Sequence, residues 1–254
     1  MQQGLQHHQG KQGYYGAFEQ TSWPVKAQFF PRIDADINQK YHQLPAFKSL
    51  GITRDGSQSL GVYPVVDSVE WLARLLPLGI KIIQLRLKDK TEEELHQQIA
   101  QAVKLSEQYH CRLFINDYWQ LAIQYQAYGV HIGQEDLQDA DLEAIQQAGL
   151  RLGISTHGCY EFLLAQQLRP SYLAIGAIFP TKTKDMTGQI QGINNLQQTL
   201  KLATDIPVVA IGGITQQRAE KVWRTGVDAI AVVTAITEAD NVEQATKALQ
   251  AICF

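Results

Sequence analysis

The chain has 254 residues, with 22 basic and 25 acidic side chains and a formal net charge of −3. Apolar residues make up 45% and charged residues 19%, which is typical of a globular protein and excludes a collagen, a coiled coil and a chain that is disordered throughout. The near-neutral charge gives no reason to expect nucleic acid or an anionic membrane as a partner, and no window has the ~18 uncharged apolar residues of a membrane helix.

The first 58 residues differ from the rest of the chain. They are rich in Gln and show no sustained helix or strand period, so we interpret residues 1–58 as an amino-terminal extension whose order the sequence does not fix. The amino terminus lacks the apolar stretch of a secretory signal.

Cys111, Cys159 and Cys253 are far apart and lack metal-ligand spacing. We therefore predict incidental thiols in a cytoplasmic protein.

From residue 59 onward, short apolar runs alternate with helix-period segments. In the segment 91–110, apolar residues recur three and four apart, and acidic residues follow Thr91, the predicted N-cap. Short buried strands separated by helices indicate parallel pairing, and eight such units close most simply into a (β/α)8 TIM barrel over residues 59–254. A doubly wound open sheet is the alternative, but no GxGxxG follows the first strand. The eight predicted strands are LGVYPVV, IKIIQLR, CRLFIND, YGVHIG, LRLGIS, SYLAIGAIF, IPVVAIGG and VDAIAVVTA.

The barrel places functional residues just after each strand, because its reactive face lies at the carboxyl ends. Seven of the predicted strands deliver polar or glycine residues to that face: Gln84 to Lys88, Asn116 and Asp117, Gly133 to Asp136, Ser155 to His157, Pro180 to Lys184, Gly212 and Gly213, and Val233 and Thr234.

Cations and carboxylates occur together on this predicted rim. Arg86, Lys88 and Lys184 would suit phosphate oxygens. Asp117 and Asp136 follow adjacent strands, and paired carboxylates suit Mg²⁺, which keeps waters and substrate phosphates in its shell. Each aspartate could instead cap the helix that follows it. Together, these residues predict an enzyme that acts on a diphosphate.

A second phosphate signal follows the last two strands. Loops after strands seven and eight form the phosphate site of many barrel enzymes, and glycines such as Gly212 and Gly213 let backbone N–H groups approach the oxygens. Two phosphorylated substrates are therefore expected.

The polar segment 182–192 predicts a flap over the site, with a plain surface loop as the alternative. His131 is predicted to be an interior or rim histidine, and His157 is the candidate acid or base if the diphosphate interpretation fails.

The segments QLRLK, FIND, GVHIGQED, GISTH, IGAIFPTKTK, VAIGGI and AVVTAI occur in this order and spacing. This set resembles the thiamine-phosphate synthase family over residues ~60–250, and GVHIGQED with TKTK is its most specific part. The resemblance implies a transferase that joins 4-amino-2-methyl-5-hydroxymethylpyrimidine diphosphate to 4-methyl-5-(2-phosphoethyl)thiazole, giving thiamine phosphate and diphosphate. It also implies Mg²⁺ as the cofactor and small-molecule substrates as the partners.

The resemblance also implies a role for each site residue. Arg86, Lys88, Lys184 and Ser155 would be catalytic, and Asp117 and Asp136 would hold Mg²⁺. The pyrimidine diphosphate would be bound by Gln84, Leu85, Arg86, Leu87, Lys88, Asn116, Ser155 and Lys184. The thiazole phosphate would be bound by Thr181, Lys182, Thr183, Gly213, Val233 and Thr234, where Thr234 replaces a common Ser of the family.

Two rival functions remain at this stage. An aminothiazole tautomerase of the same fold would use a rim histidine without Mg²⁺, although it would have no diphosphate for the cations to neutralise. A non-catalytic sensor of phosphorylated ligands would use the extension to contact a partner. Mg²⁺-dependent release of diphosphate would distinguish the synthase from both, and the sequence leaves homo-oligomerisation open.

Overall fold

The structure is a computed structural model that describes residues 44–52, 59–181 and 190–253. Eight parallel strands pair in chain order, and β1 pairs with β8 through Gly61–Ala229 to close the barrel. The predicted (β/α)8 barrel is thus confirmed, and the open doubly wound sheet is excluded. The strands are β1 Gly61–Val66, β2 Ile82–Leu85, β3 Arg112–Asn116, β4 Gly129–Ile132, β5 Arg151–Thr156, β6 Tyr172–Ile175, β7 Val208–Ile211 and β8 Ala229–Val232.

Helices follow the strands and cover the outside of the barrel. Thr91 is the N-cap of the longest helix in the described ranges. Its side chain accepts from Glu94 N–H, and the Glu94 carboxylate accepts from Thr91 N–H, so the predicted cap is confirmed as a capping box. The helices are α1 Val69–Leu75, a 3-10 turn Leu76–Leu78, α2 Glu92–Gln108, α3 Trp119–Gln124, α4 Leu142–Gln147, α5 Cys159–Gln167, α6 Gly192–Leu200, α7 Gln216–Trp223, α8 Thr234–Thr237 and α9 Val242–Ile252.

Side chains alternate along each strand between an outer core and the barrel interior. The outer core lies between strands and helices and includes Leu85, Ile115 and Ile132. The interior is a separate apolar cluster, and its larger members are Leu50, Leu60, Tyr63, Val65, Ile82, Phe114, Tyr172 and Val209.

Two glycines make room for the aromatic rings inside the barrel. A Cβ at Gly153 would lie 2.2 Å from Cζ of Tyr172, and a Cβ at Gly129 would lie 2.5 Å from Cε1 of Phe114. Neither distance is sterically allowed. The interior therefore holds these rings because β4 and β5 lack a side chain at the matching positions.

Residues 44–52 close the amino-terminal end of the barrel. Leu50 is 2% exposed and belongs to the interior cluster. The backbone N–H of Phe47 donates to the carbonyl of Arg169 at 3.0 Å, and Ser171 Oγ donates to the carbonyl of Lys48 at 2.7 Å. This part of the amino-terminal extension is packed on the barrel, whereas residues 1–43 and 53–58 lie outside the described ranges.

None of the helices in the described ranges is long and apolar enough to cross a membrane. Cys111, Cys159 and Cys253 are free and buried, and burial raises the pKa of each thiol to about 12.

Candidate active site

The predicted rim residues of β2 fall on two faces of the strand. Gln84 belongs to the interior face, Arg86 is half-buried at the rim, and Lys88 is exposed beyond it. The side chains of Leu85 and Leu87 are 0% and 3% exposed and lie in the outer core. Leu85 and Leu87 can therefore offer a substrate only their backbone groups.

Asp117 and Asp136 meet at the rim beside Arg86. Their carboxyl groups interact directly, and burial together with the negative charge of Asp136 raises the pKa of Asp117 to about 6. The positive charge of Arg86 acts in the opposite direction, which places its guanidinium near the same carboxylate. The two acids and Arg86 are distant in sequence and lie together here. Lys184, which is predicted to join them, lies outside the described residues.

Neither aspartate caps a helix. The N-cap of α3 is Tyr118, and the N-cap of α4 is Asp141, whose side chain accepts from Ala144 N–H at 3.0 Å. Asp117 has a left-handed backbone with φ of 63° directly after β3, a conformation that Asp tolerates better than most residues. The cap interpretation is therefore wrong for both residues.

Asn116 supports the carboxylate of Asp117. It is 7% exposed, and its Nδ2 donates to Oδ2 of Asp117 at 2.5 Å, which favours the charged form. Gly133 leaves room on the other side, because a Cβ there would lie 3.1 Å from Oδ2 of Asp136. The loop after β4 thus brings the second carboxylate close to the strand ends.

The donor set fits Mg²⁺. The described residues contain no group of three or more His, Cys, Asp or Glu side chains arranged to hold a metal. Asp117 and Asp136 place two carboxylates close together, and a cation would relieve their mutual repulsion. One or two carboxylates are the protein ligands that Mg²⁺ uses when waters and substrate phosphates complete its shell.

Ser155 lies at the end of β5, half-buried, with its Oγ 2.7 Å from Nε2 of His131. The other ring nitrogen of His131 is 2.7 Å from the hydroxyl of Tyr172. His131 is 6% exposed, and burial lowers its pKa to about 3, so the ring is neutral. His131 is therefore an interior histidine, as predicted, with both nitrogens engaged.

His157 faces its own helix. Oε2 of Glu161 accepts from the backbone N–H of His157 at 2.7 Å and lies 3.0 Å from its Nδ1. Gln134 and Gln191 reinforce the same region, since their amides donate to the carbonyls of Ser155 and His157 at 2.7 and 2.8 Å. These contacts hold the ends of β4 and β5 in place.

The residues predicted to bind the second phosphate follow β7 and β8. Gly212 and Gly213 have φ of 102° and 61°, and a Cβ on Gly213 would lie 2.4 Å from the carbonyl oxygen of Pro180. The turn therefore requires glycine. At the neighbouring strand end, Val233 is the N-cap of α8 and the exposed Thr234 is its first residue.

Thr181 is half-buried on the loop after β6, and Phe179 N–H of that loop donates to the carbonyl of Gly212 at 3.0 Å. Lys182, Thr183 and Lys184, with most of the predicted flap, lie outside the described residues.

Sequence reasoning missed three residues near these sites. Arg218 of α7 donates to the carbonyl of Gly213 at 2.8 Å, and its guanidinium stacks 4.7 Å from the ring centre of Phe179. Tyr63 and Tyr172 join their hydroxyls at 2.8 Å beneath His131. The available signal was strand alternation, which puts both tyrosines on the interior face, where a buried hydroxyl needs a partner.

Comparisons with known proteins identify the family of this chain. A family model described as thiamine monophosphate synthase matches residues 62–236. The thiamine-phosphate synthase of Cronobacter sakazakii is 56% identical over 190 residues, 75% of this chain and 90% of that protein. The Salmonella typhimurium enzyme of the same name is 54% identical over 193 residues, 76% of this chain and 92% of that protein. Among solved structures, the thiamine phosphate pyrophosphorylase from Pyrococcus furiosus superimposes with a TM-score of 0.69 at 31% identity, covering 79% of this chain and 96% of that one.

Proposed function

The chain belongs to the thiamine monophosphate synthase family, and from that premise we propose how its rim performs the condensation. The protein is a transferase of thiamine biosynthesis. It joins 4-amino-2-methyl-5-hydroxymethylpyrimidine diphosphate to 4-methyl-5-(2-phosphoethyl)thiazole and releases diphosphate. The observation that carries the mechanism is the contact between Asp117 and Asp136 beside Arg86 at the open end of the barrel.

Asp117 and Asp136 would hold Mg²⁺ at this contact. When bound, the ion would neutralise charge on the departing diphosphate. The left-handed turn at Asp117 and the amide of Asn116 fix one carboxylate before any ligand arrives. This arrangement lowers the reorganisation that binding requires.

The cations and the hydroxyl of the rim would bind the diphosphate itself. Arg86 is half-buried, where its charge is less screened than in bulk water, and its fork suits two phosphate oxygens. Lys88 stands exposed at the entrance and would meet the outer phosphate. Ser155 would donate to a phosphate oxygen, and Lys184 is proposed to add a further positive charge from the loop after β6.

The chemical step needs no protein nucleophile. The bond between the pyrimidine methylene carbon and the diphosphate oxygen breaks, and its electron pair leaves with the diphosphate. The electron-rich aminopyrimidine stabilises the resulting cation, and the thiazole nitrogen then donates its lone pair to form the new carbon–nitrogen bond. The protein's part is to stabilise the leaving group and to hold the nucleophile in line.

The turn at Gly212 and Gly213 and the start of α8 would hold the thiazole phosphate. Gly213, Val233 and Thr234 would offer backbone N–H groups and a hydroxyl, while Thr181, Lys182 and Thr183 would approach from the loop after β6. Arg218, hydrogen-bonded to the carbonyl of Gly213, keeps a positive charge beside this turn. Both substrates would thus enter from the same rim.

Product formation tests this proposal. Thiamine phosphate and diphosphate should appear when both substrates and Mg²⁺ are present, and should be absent with either substrate alone or with EDTA. Turnover without Mg²⁺, or no turnover at all, would contradict it.

Arg86→Gln should lower kcat about 10²-fold, as loss of a preorganised charge does in other enzymes. The control Arg224→Gln alters an exposed ion pair with Glu220 and should leave kcat unchanged.

We further propose a cytoplasmic location with small molecules as the partners. Three free, buried thiols in the described residues suit a reducing compartment, and the substrates of the reaction are metabolites. Localisation of a tagged full-length chain by fractionation would test the compartment.

A further inference from the structure

A chain of buried hydrogen bonds crosses the barrel interior and ends at Ser155. Nε2 of Gln84 is 3.4 Å from the hydroxyl of Tyr63, which is 2.8 Å from the hydroxyl of Tyr172. The Tyr172 hydroxyl is 2.7 Å from Nδ1 of His131, and Nε2 of His131 is 2.7 Å from Oγ of Ser155. Five side chains from five strands thus form one continuous path.

The path is enclosed by apolar side chains. Tyr63 and Tyr172 are 1% and 0% exposed. The Tyr172 ring packs edge-on against Phe114 and Tyr63, and the Tyr63 ring is tilted against Phe114. A buried hydroxyl that lacks a partner costs about 1–3 kcal/mol. Each hydroxyl therefore needs the hydrogen bonds to its neighbours. If one hydroxyl reverses the direction in which it donates, the other hydroxyl must reverse as well.

The donor directions follow from the two ends. Nε2 of Gln84 can only donate, so the Tyr63 hydroxyl accepts from it. Tyr63 therefore accepts from Gln84 and donates to Tyr172, and Tyr172 donates to Nδ1 of His131. An imidazole that accepts at Nδ1 must carry its ring proton on Nε2, and the Nε2–H then donates to Oγ of Ser155.

We propose that Gln84, Tyr63, Tyr172 and His131 are positioning residues that hold His131 as the Nε2–H tautomer and so direct the Ser155 hydroxyl proton out of the barrel, towards the pyrimidine diphosphate. This inference rests on the proposed function, because it takes Ser155 as a diphosphate contact. If His131 carried its proton on Nδ1, Ser155 would donate inward to Nε2. The diphosphate would then meet a lone pair in place of a donor.

Tyr172→Phe is the direct test, because it removes the donor to Nδ1 and keeps the ring. Tyr125→Phe is a matched control, since the Tyr125 hydroxyl lies 2.7 Å from Nδ1 of His96 between α2 and α3, away from the rim. Tyr63→Phe removes the next hydroxyl along the path and provides a second variant should Tyr172→Phe not fold.

The first readout is the tautomer of His131, measured by ¹⁵N NMR of the imidazole nitrogens in the full chain. The wild type and Tyr125→Phe should show the proton on Nε2, and Tyr172→Phe should shift it towards Nδ1. A wild-type ring protonated on Nδ1, or no change in Tyr172→Phe, would overturn the proposal. This measurement does not depend on turnover. A failure of the proposed hydrogen-bond path can therefore be distinguished from a failure of the proposed function.

The second readout is kinetic. Tyr172→Phe should lower kcat/KM for the pyrimidine diphosphate at least tenfold and leave KM for the thiazole phosphate unchanged. Tyr63→Phe should act in the same direction. The hydrogen-bond path acts through Ser155. The double variant Tyr172→Phe with Ser155→Ala should therefore have the same kcat/KM as Ser155→Ala alone. Additive losses in the double variant would show a merely structural role and overturn the proposal.

Discussion

Asp117→Asn should stabilise the metal-free protein at neutral pH while abolishing Mg²⁺-dependent turnover. In the absence of metal, the carboxylate is half-buried and lies against Asp136, and both factors raise its pKa from 3.8 to about 6. Asn has nearly the same shape and keeps one oxygen that can accept from Asn116. The substitution therefore removes the charge and changes little else.

The magnitude follows from that rise in pKa. Each tenfold change in proton affinity is worth about 1.4 kcal/mol. For a fully buried group, the rise in the pKa of Asp117 would therefore lower the free energy of unfolding by about 3 kcal/mol at a pH where the carboxylate is charged. Asp117 is partly exposed, so solvent screening reduces the figure, and we expect a gain of about 1 kcal/mol in the free energy of unfolding at pH 8.

The pH dependence has a definite sign. The folded protein holds the Asp117 proton more tightly than the unfolded chain does. The stability from this group is therefore complete below pH 3.8, declines between about pH 4 and pH 6, and is lost above that range. The variant should exceed the wild type at pH 8 and match it near pH 4.

Urea denaturation in EDTA at pH 4 and pH 8 measures the two differences. Asp139→Asn, on an exposed residue of the loop after β4, is the control and should change neither value. Mg²⁺ with inorganic diphosphate should raise the Tm of the wild type but not that of Asp117→Asn. A variant less stable than the wild type at pH 8 would refute the electrostatic reasoning.

Three further substitutions test other parts of the barrel. Gly153→Ala places a methyl group against the Tyr172 ring and should cost about 1–3 kcal/mol, with a large loss of kcat measured in the same preparation. Gly213→Ala crowds the carbonyl of Pro180 and should raise KM for the thiazole phosphate but not for the pyrimidine diphosphate. Leu50→Ala should destabilise the protein by about 2–5 kcal/mol in urea denaturation and leave kcat unchanged, because Leu50 fills the opposite end of the barrel.

The fold was predictable because local patterns repeat. Each apolar run had the length of a buried strand, and all eight strands lie where the runs are. The capping box at Thr91 was equally local, since its two partners are three residues apart. The convergence of Asp117 and Asp136 followed from barrel closure, which brings successive strand ends to one rim.

The interior network could not be predicted, because strand alternation gives the face of a side chain and not its partner across the barrel. Tyr63 and Tyr172 are separated by 109 residues, and their contact depends on the ring sizes of every neighbour in that layer. Leu85 and Leu87 show the converse problem. They share a motif with Gln84 and Arg86, but alternation places their side chains behind the strand, in the outer core.

The segment 44–52 at the closed end of the barrel is held through its peptide oxygens as well as through its buried side chains. Arg169, Ser171 and Arg112 donate side-chain hydrogen bonds to the carbonyls of Leu44, Lys48 and Leu50, respectively. A carbonyl is present in every amino acid, so these hydrogen bonds constrain the path of the segment and leave the residue types at its exposed positions open. Divergence should therefore be tolerated at its outward positions, whereas insertion or deletion of a residue between Leu44 and Leu50 would misalign at least one of these bonds.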